Sequence, residues 1–146
     1  MKYFLVNSFL HSLDGKGVFS NSDDYISNEY WKISKDLCID DRQLKASEKL
    51  FTCVEVGDVL VLKEDTKTYY HAMRTVKALG QVTKIDNNAY KLEVYWFDRT
   101  SWRTKLTNQF QLLPRPLLEP INSDNFFDLL FLNEILDHII DHTNFG

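Results

Sequence analysis

Two runs near the middle of the chain limit its fold more than any other feature. "HAMRTVKALGQVTKI" (71–85) and "YKLEVYWF" (90–97) are rich in β-branched and aromatic residues, and the second alternates in the manner of a strand. "DNN" (86–88) between them is turn chemistry, so the two runs predict an antiparallel pair. The first run is long for one strand, and Gly80 within it predicts a bulge that bends it. Upstream, "DVLVLKE" (58–64) predicts a further strand, entered through a turn at Gly57-Asp58. These neighbours must make a sheet, and 146 residues suffice for one domain with its own core.

The flanking segments are read around that sheet. "KYFLVN" (2–7) predicts a first strand, followed by a polar loop through Asp24. "YISNEYWKIS" (25–34) fits either a helix or irregular chain. "DDRQLKASEKLFTCV" (40–54) spaces Leu44, Ser47, Leu50 and Phe51 like a helix face, with Asp40 or Asp41 as its cap. "EDTKT" reads as a loop, "WRTKLTNQFQLL" (102–113) as one more strand, and "PRPLLEP" as a linker. "NSDNFFDLLFLNEILDHIIDH" (122–142) predicts a strong helix capped by Asn122, Ser123 or Asp124, with Asp124 and Asp128 complementing its dipole. Leu129, Leu132, Leu136 and Ile139 line one face of it, while Phe126 to Leu132 is apolar nearly all round. That helix is expected to pack on the sheet or on a neighbour. The expected class is α+β: a small β-barrel flanked by helices, with a C-terminal helix.

Charge and composition narrow the function. The net charge of −4 conceals an uneven distribution. Residues 1–55 carry seven Lys/Arg and nine Asp/Glu, residues 56–118 ten and six, and residues 119–146 none and six. A basic middle third fits a nucleic-acid partner, although solvated strand faces give the same pattern. No apolar run approaches the roughly 20 residues of a membrane span, so no membrane partner is expected. "MKYFLVNSFLHSLDG" lacks a cleavage site and reads as a strand, which places the chain in the cytoplasm. Cys38 and Cys53 are then expected to be buried free thiols in a reducing compartment.

Catalytic readings fare worse. No G-x-x-x-x-G-K-[ST] run occurs, so no phosphate-cradling loop is present. "HIIDH" sets His138 and His142 at i, i+4 around Asp141, but a zinc site would need a Glu at 141 and a third ligand. It reads as the polar edge of the last helix. Glu93 in "LEVYWF" lacks the following Lys of a nuclease pattern, and neither cysteine pairs in order with His11 or His71. Neither catalytic residue, metal nor cofactor is expected.

Taken together, "YFLVN", the "YW" at 30–31, "VEVGDVLVLK", "VKALGQVTKI" and "KLEVYW" resemble the N-terminal DNA-recognition domains of McrB-like modification-dependent restriction systems. Those belong to the PUA-like superfamily with the EVE and YTH domains. The carrying positions are Gly57-Asp58, Val76-Lys77-Ala78-Leu79-Gly80-Gln81-Val82 and Val94-Tyr95-Trp96, with "RTSWR" (99–103) like a stretch that follows in some members. The likeness spans roughly residues 2–115 and departs from the family in a short loop between Lys63 and Val76. It implies a PUA-like recognition domain over 1–118, then a linker and acidic helix over 119–146 that packs on it or leads to a missing domain. Duplex DNA, methylated or not, would be the partner, read by flipping a base into an aromatic pocket in the service of phage defence. The GTPase motor would lie in cis and the nuclease subunit in trans.

The family's aromatic cage has a simple logic. Unstacking a base costs a few kcal/mol, and an aromatic face returns roughly 1–3 kcal/mol per stacked base. The rings on offer are Trp31, Tyr30, Trp96 and Trp102, with Asn7 and Ser8 as readers of the base edge; core packing is the competing use of each ring. Lys63, Lys67, Arg74, Lys77, Arg99, Arg103 and Lys105 are the candidates for phosphates, and Tyr69-Tyr70 beside Arg74 for a groove. An RNA-binding PUA-like module, or a protein-interaction module built on the acidic helix, are the alternatives.

Overall fold

The computed structural model describes residues 1–11, 18–38, 40–67, 72–105, 116–124 and 126–143. Among them a curled, seven-stranded mixed sheet forms a half-barrel with helices on both of its faces. The elements in chain order are β1 (Tyr3–Asn7), β2 (Phe9–His11), β3 (Val18–Ser20), α1 (Ser22–Ser27) and β4 (Tyr30–Lys32). A 3-10 turn (Lys35–Leu37) leads to α2 (Asp41–Phe51), β5 (Val59–Lys67), β6 (Ala72–Asp86) and β7 (Lys91–Asp98). The chain continues with β8 (Trp102–Lys105), β9 (Leu118–Pro120) and α3 (Phe126–Thr143). The sheet runs β4-β7-β6-β5-β1-β9, with β8 also paired to β6, while β2 and β3 pair separately. β1 and β5 are parallel, and the other pairs are antiparallel.

The expected hairpin is present, and its bend is where Gly80 predicts it. The β6–β7 register shifts between Leu79 and Gln81. A Cβ on Gly80 would stand 2.4 Å from Val94 Cγ1 and 2.5 Å from Trp96 Cε3, so only glycine lets the strand bend over those side chains. The Gly57-Asp58 entry is more than a turn. Gly57 adopts φ 97°, which glycine tolerates without strain. The buried Asp58 carboxylate accepts from the main-chain N–H of Lys2 at 2.9 Å and of Glu55 at 2.8 Å. Gly57 N donates to Val82 O, and Val82 N to Asp58 O. This dipeptide therefore ties the start of β1 and the middle of β6 to the start of β5.

Period-2 alternation divides the apolar residues between two cores. Phe4, Val6, Leu60, Leu62, Ala78, Leu92, Val94 and Trp96 face the larger one, which also takes Tyr25, Trp31, Leu37 and Phe51. Leu5, Val61, Val76 and Leu79 face the smaller one, closed by Ile121 and by Phe131 and Ile135 of α3. Asp40 caps α2, its Oδ1 accepting from Gln43 N at 2.9 Å.

Several segments differ from the expectation. The supposed loop before Asp24 contains β2, β3 and the first residues of α1. "YISNEYWKIS" holds the end of α1 and then β4. "EDTKT" continues β5 as far as Lys67, because Asp65 and Thr66 pair with Arg74 and Met73 across the ladder. Within the supposed linker, Leu118–Pro120 is an edge strand on β1, where Pro120 forfeits no inner ladder bond. On α3 the buried residues are Phe131 and Ile135, whereas Leu129 and Leu136 are exposed. Cys38 and Cys53 are free, but Cys53 is exposed rather than buried, and Cys38 is half-buried with its thiol pKa raised by burial.

Candidate functional site

Three of the four expected rings gather around Tyr25, a residue that the sequence did not single out. The Tyr25 ring lies 5.0 Å from Tyr30, edge-on at 85°, and 6.5 Å from Trp31. Trp96 Nε1 donates to Tyr25 O at 2.9 Å, and Trp31 Nε1 to Asn7 O at 3.0 Å. Both indole N–H groups thus end on main-chain carbonyls, and both tryptophans are buried in the larger core. Burial pushes the Tyr25 phenol up to about 12, and its hydroxyl donates to Lys32 O at 3.1 Å.

Asn7 and Ser8, at the end of β1, lie beside Lys63 in the middle of β5, and Arg74 of β6 pairs with Asp65 two residues on. Asn7 Nδ2 donates to Phe9 O at 2.9 Å. Ser8 is fully buried, its Oγ 2.6 Å from Ser22 Oγ. Ser22 Oγ and Ser20 Oγ both donate to Glu64 Oε1. Next along β5, Lys63 Nζ lies 2.6 Å from Asp65 Oδ2, while Arg74 Nε and Nη2 meet the same carboxylate at 2.9 and 3.2 Å. Burial pushes the Asp65 carboxyl up, but Lys63 and Arg74 overcome that and hold it at about 2. The three side chains together retain one positive charge. These are two polar clusters on β5, and the cations of the second, Lys63 and Arg74, are taken up by Asp65.

An open depression of about 400 Å³ lies on the β4–β7 edge, with Asn28, Glu29, Tyr30, Thr83, Lys91 and Tyr95 among its lining. β4 pairs with β7 so that Tyr30 stands opposite Glu93, on the same side of the sheet as Lys91 and Tyr95. Lys91 Nζ sits 4.9 Å from the Tyr30 ring centroid. The Tyr30 hydroxyl bonds to Asp24, and burial together with that carboxylate raises its pKa well above the usual phenol range. Glu29 holds φ 55°, fixed by the bond from Val94 N to its carbonyl at 3.0 Å, and Arg99 reaches it across 3.8 Å. Tyr95 is 57% exposed, the most exposed aromatic ring of the described residues. The sequence named Tyr30 and Arg99 here. It gave Tyr95 no role, because strand alternation does not tell a bare outer position from one beneath a helix.

Trp102 stands apart, at the edge of the smaller core. Its ring stacks on His138 at 4.0 Å and 26°, and His138 Nε2 is 3.0 Å from Asp98 Oδ2. Of the remaining expected phosphate contacts, Arg103 is exposed on β8 and Lys77 half-buried on β6. Lys67 and Lys105 have backbone positions at the ends of β5 and β8. Their side chains, like Tyr69, Tyr70 and the side chain of His142, lie outside the described residues. Among those described, no three His, Cys, Asp or Glu side chains are placed to hold a metal ion.

No helix among the described residues is long and apolar enough to cross a membrane. No known protein-family model matches the chain, and no curated protein matches it significantly.

Proposed function

We propose that this chain is a PUA-like DNA-recognition domain of the McrB-like kind. In this reading it binds duplex DNA, flips a base into an aromatic-edged pocket, and leaves the chemistry to a GTPase motor and a nuclease elsewhere in the system. The observation that carries the reading is the open depression on the β4–β7 edge. Its volume falls within the roughly 300–1,000 Å³ of small-molecule sites. Two phenol rings border it, and its lining offers amide, hydroxyl, ammonium and carboxylate groups to a base edge. Lys91 in the depression, Arg99 at its rim, and Arg103 farther along supply cations for the backbone. Trp31 and Trp96 act from behind it, as the packed support that fixes β4 against β7.

Electrophoretic shifts of the full chain at low salt test this, with methylated duplex, unmethylated duplex, single-stranded DNA and RNA of equal length. Duplex DNA is expected to shift, with affinity falling steeply as salt rises. Tyr95→Ala is expected to cost about 1–3 kcal/mol of binding while the melting temperature stays put, since its ring is exposed. Failure to bind any nucleic acid overturns the proposal, and a preference for RNA transfers the depression to the RNA-binding alternative.

A further inference from the structure

The outer face of α3 is apolar as well as the inner one. Leu129, Leu136 and Ile140 recur at i, i+7 and i+11 and are 42%, 45% and 56% exposed. Half-buried Leu132 and Ile139 pack against the smaller core and continue the stripe towards the sheet. Eleven residues at 1.5 Å each make a strip about 17 Å long, three turns of helix. Scattered exposed leucines are ordinary, but an aligned row along one helix face marks a contact surface.

Charge decides what covers it. Residues 119–146 contain six Asp/Glu and no Lys or Arg. Asn133 and Asp137 are exposed beside the stripe, and beyond them the exposed Glu134 accepts a hydrogen bond from Thr104 Oγ1 of β8 at 3.3 Å. A second copy of this helix would bring carboxylates together with no cation between them. An anionic bilayer or a nucleic-acid backbone meets the same repulsion. We propose that the stripe docks a basic amphipathic helix of a partner protein, its Leu/Ile-type residues on the row and its Lys/Arg beside Glu134 and Asp137. This surface shares no residue with the β4–β7 depression, so the two readings stand or fall separately.

The probe is a labelled synthetic helix with Leu at i, i+3, i+4 and i+7 and Lys elsewhere, titrated with the full chain by fluorescence anisotropy. Controls are a scrambled peptide of the same composition and a counterpart with Glu for Lys. The Leu/Lys helix is expected to bind. The scrambled peptide and the Leu136→Gln/Ile140→Gln chain should each weaken binding at least about tenfold, less than two buried aliphatic side chains are worth. Both replaced side chains are exposed, so the melting temperature of that variant should be unchanged. Equal binding of the scrambled or Glu peptide, or undiminished binding by the variant, overturns the proposal. So does sedimentation showing that the wild-type chain self-associates through the stripe and the variant does not, or binding to anionic vesicles that the variant loses.

Discussion

The two faces of the sheet are closed by different means. On the larger side, α1, β4, the 3-10 turn and α2 supply Tyr25, Trp31, Leu37 and Phe51, and both buried indoles are fixed by main-chain hydrogen bonds. On the smaller side one helix, α3, supplies Phe131 and Ile135, helped by the stack of His138 on Trp102 and its approach to Asp98. The first side is a continuous core knitted from distant parts of the chain. The second is a single element resting on a surface. Stability should therefore be global on one face and local on the other, as in proteins whose last helix opens before the rest unfolds.

The largest test of that contrast is Trp31→Ala against Ile135→Ala. Removing the Trp31 indole empties the middle of the larger core and leaves Asn7 O without its donor. A loss of about 3–5 kcal/mol is expected, seen as an earlier melt of the whole chain. Ile135→Ala is expected to cost about 2–3 kcal/mol, at the lower end for such a truncation because the helix has somewhere to shift. Its signature is faster hydrogen exchange along α3 with protection of β5 and β6 kept. If Trp31→Ala melts near wild type, the larger core is not the keystone of the fold and Trp31 is available to a ligand.

A smaller effect comes from the triad of Lys63, Asp65 and Arg74, whose guanidinium lies 5.1 Å from the Phe131 ring centroid of α3. Lys63 and Arg74 hold the Asp65 carboxyl at about 2 in the fold, against the usual 3.8 of an aspartate. A carboxyl with a depressed folded pKa contributes stability that is complete above the unfolded pKa and disappears as pH falls through the folded one. The loss should fall between about pH 5 and pH 2 and amount to roughly 2 kcal/mol. Chemical unfolding at a series of pH values reads it directly. Asp65→Asn removes that acid-dependent component and, by leaving the buried Lys63 and Arg74 without a carboxylate, lowers stability at neutral pH. A variant with the wild-type acid profile would show that Asp65 is not its source.

How much of this was legible depends on whether a residue's partner was near in sequence. The β6–β7 pair, its bend at Gly80, the Asp40 cap and the turn at Gly57 follow from local rules, and the structure has all four. Edge strand β9 was hidden by the three prolines of "PRPLLEP", and its pairing with β1 joins residues more than a hundred apart. β2 and β3 are three residues each, too short for alternation to register. The inner face of α3 was misplaced for another reason. A helix apolar nearly all round carries no phase, so Phe131 and Ile135 were no better marked than Leu129 and Leu136. The candidate site shows the same limit. Tyr30 and Arg99 stood out by residue type, whereas Tyr95 and Tyr25 acquire their roles only from what lies, or does not lie, across the sheet from them.

The smallest predicted effect bears on the polar side of the α3 contact. Asp98 is buried, with Oδ1 accepting from Thr100 N at 2.8 Å and Oδ2 facing His138 at 3.0 Å. It fixes the β7–β8 turn with one oxygen and α3 with the other. His138→Leu keeps much of the ring's bulk against Trp102 but removes the group facing Oδ2. A net hydrogen bond is worth about 0.5–1.5 kcal/mol, so α3 should exchange its amide hydrogens roughly two- to tenfold faster, while global stability shifts by less. Asp98→Asn should do the same to α3 without disturbing the turn, since an amide oxygen still accepts from Thr100 N. A double substitution costing no more than either single one assigns the effect to the pair. Additive losses would mean that the histidine holds α3 through its stack on Trp102 alone, and the smaller face would then close by packing, as the larger one does.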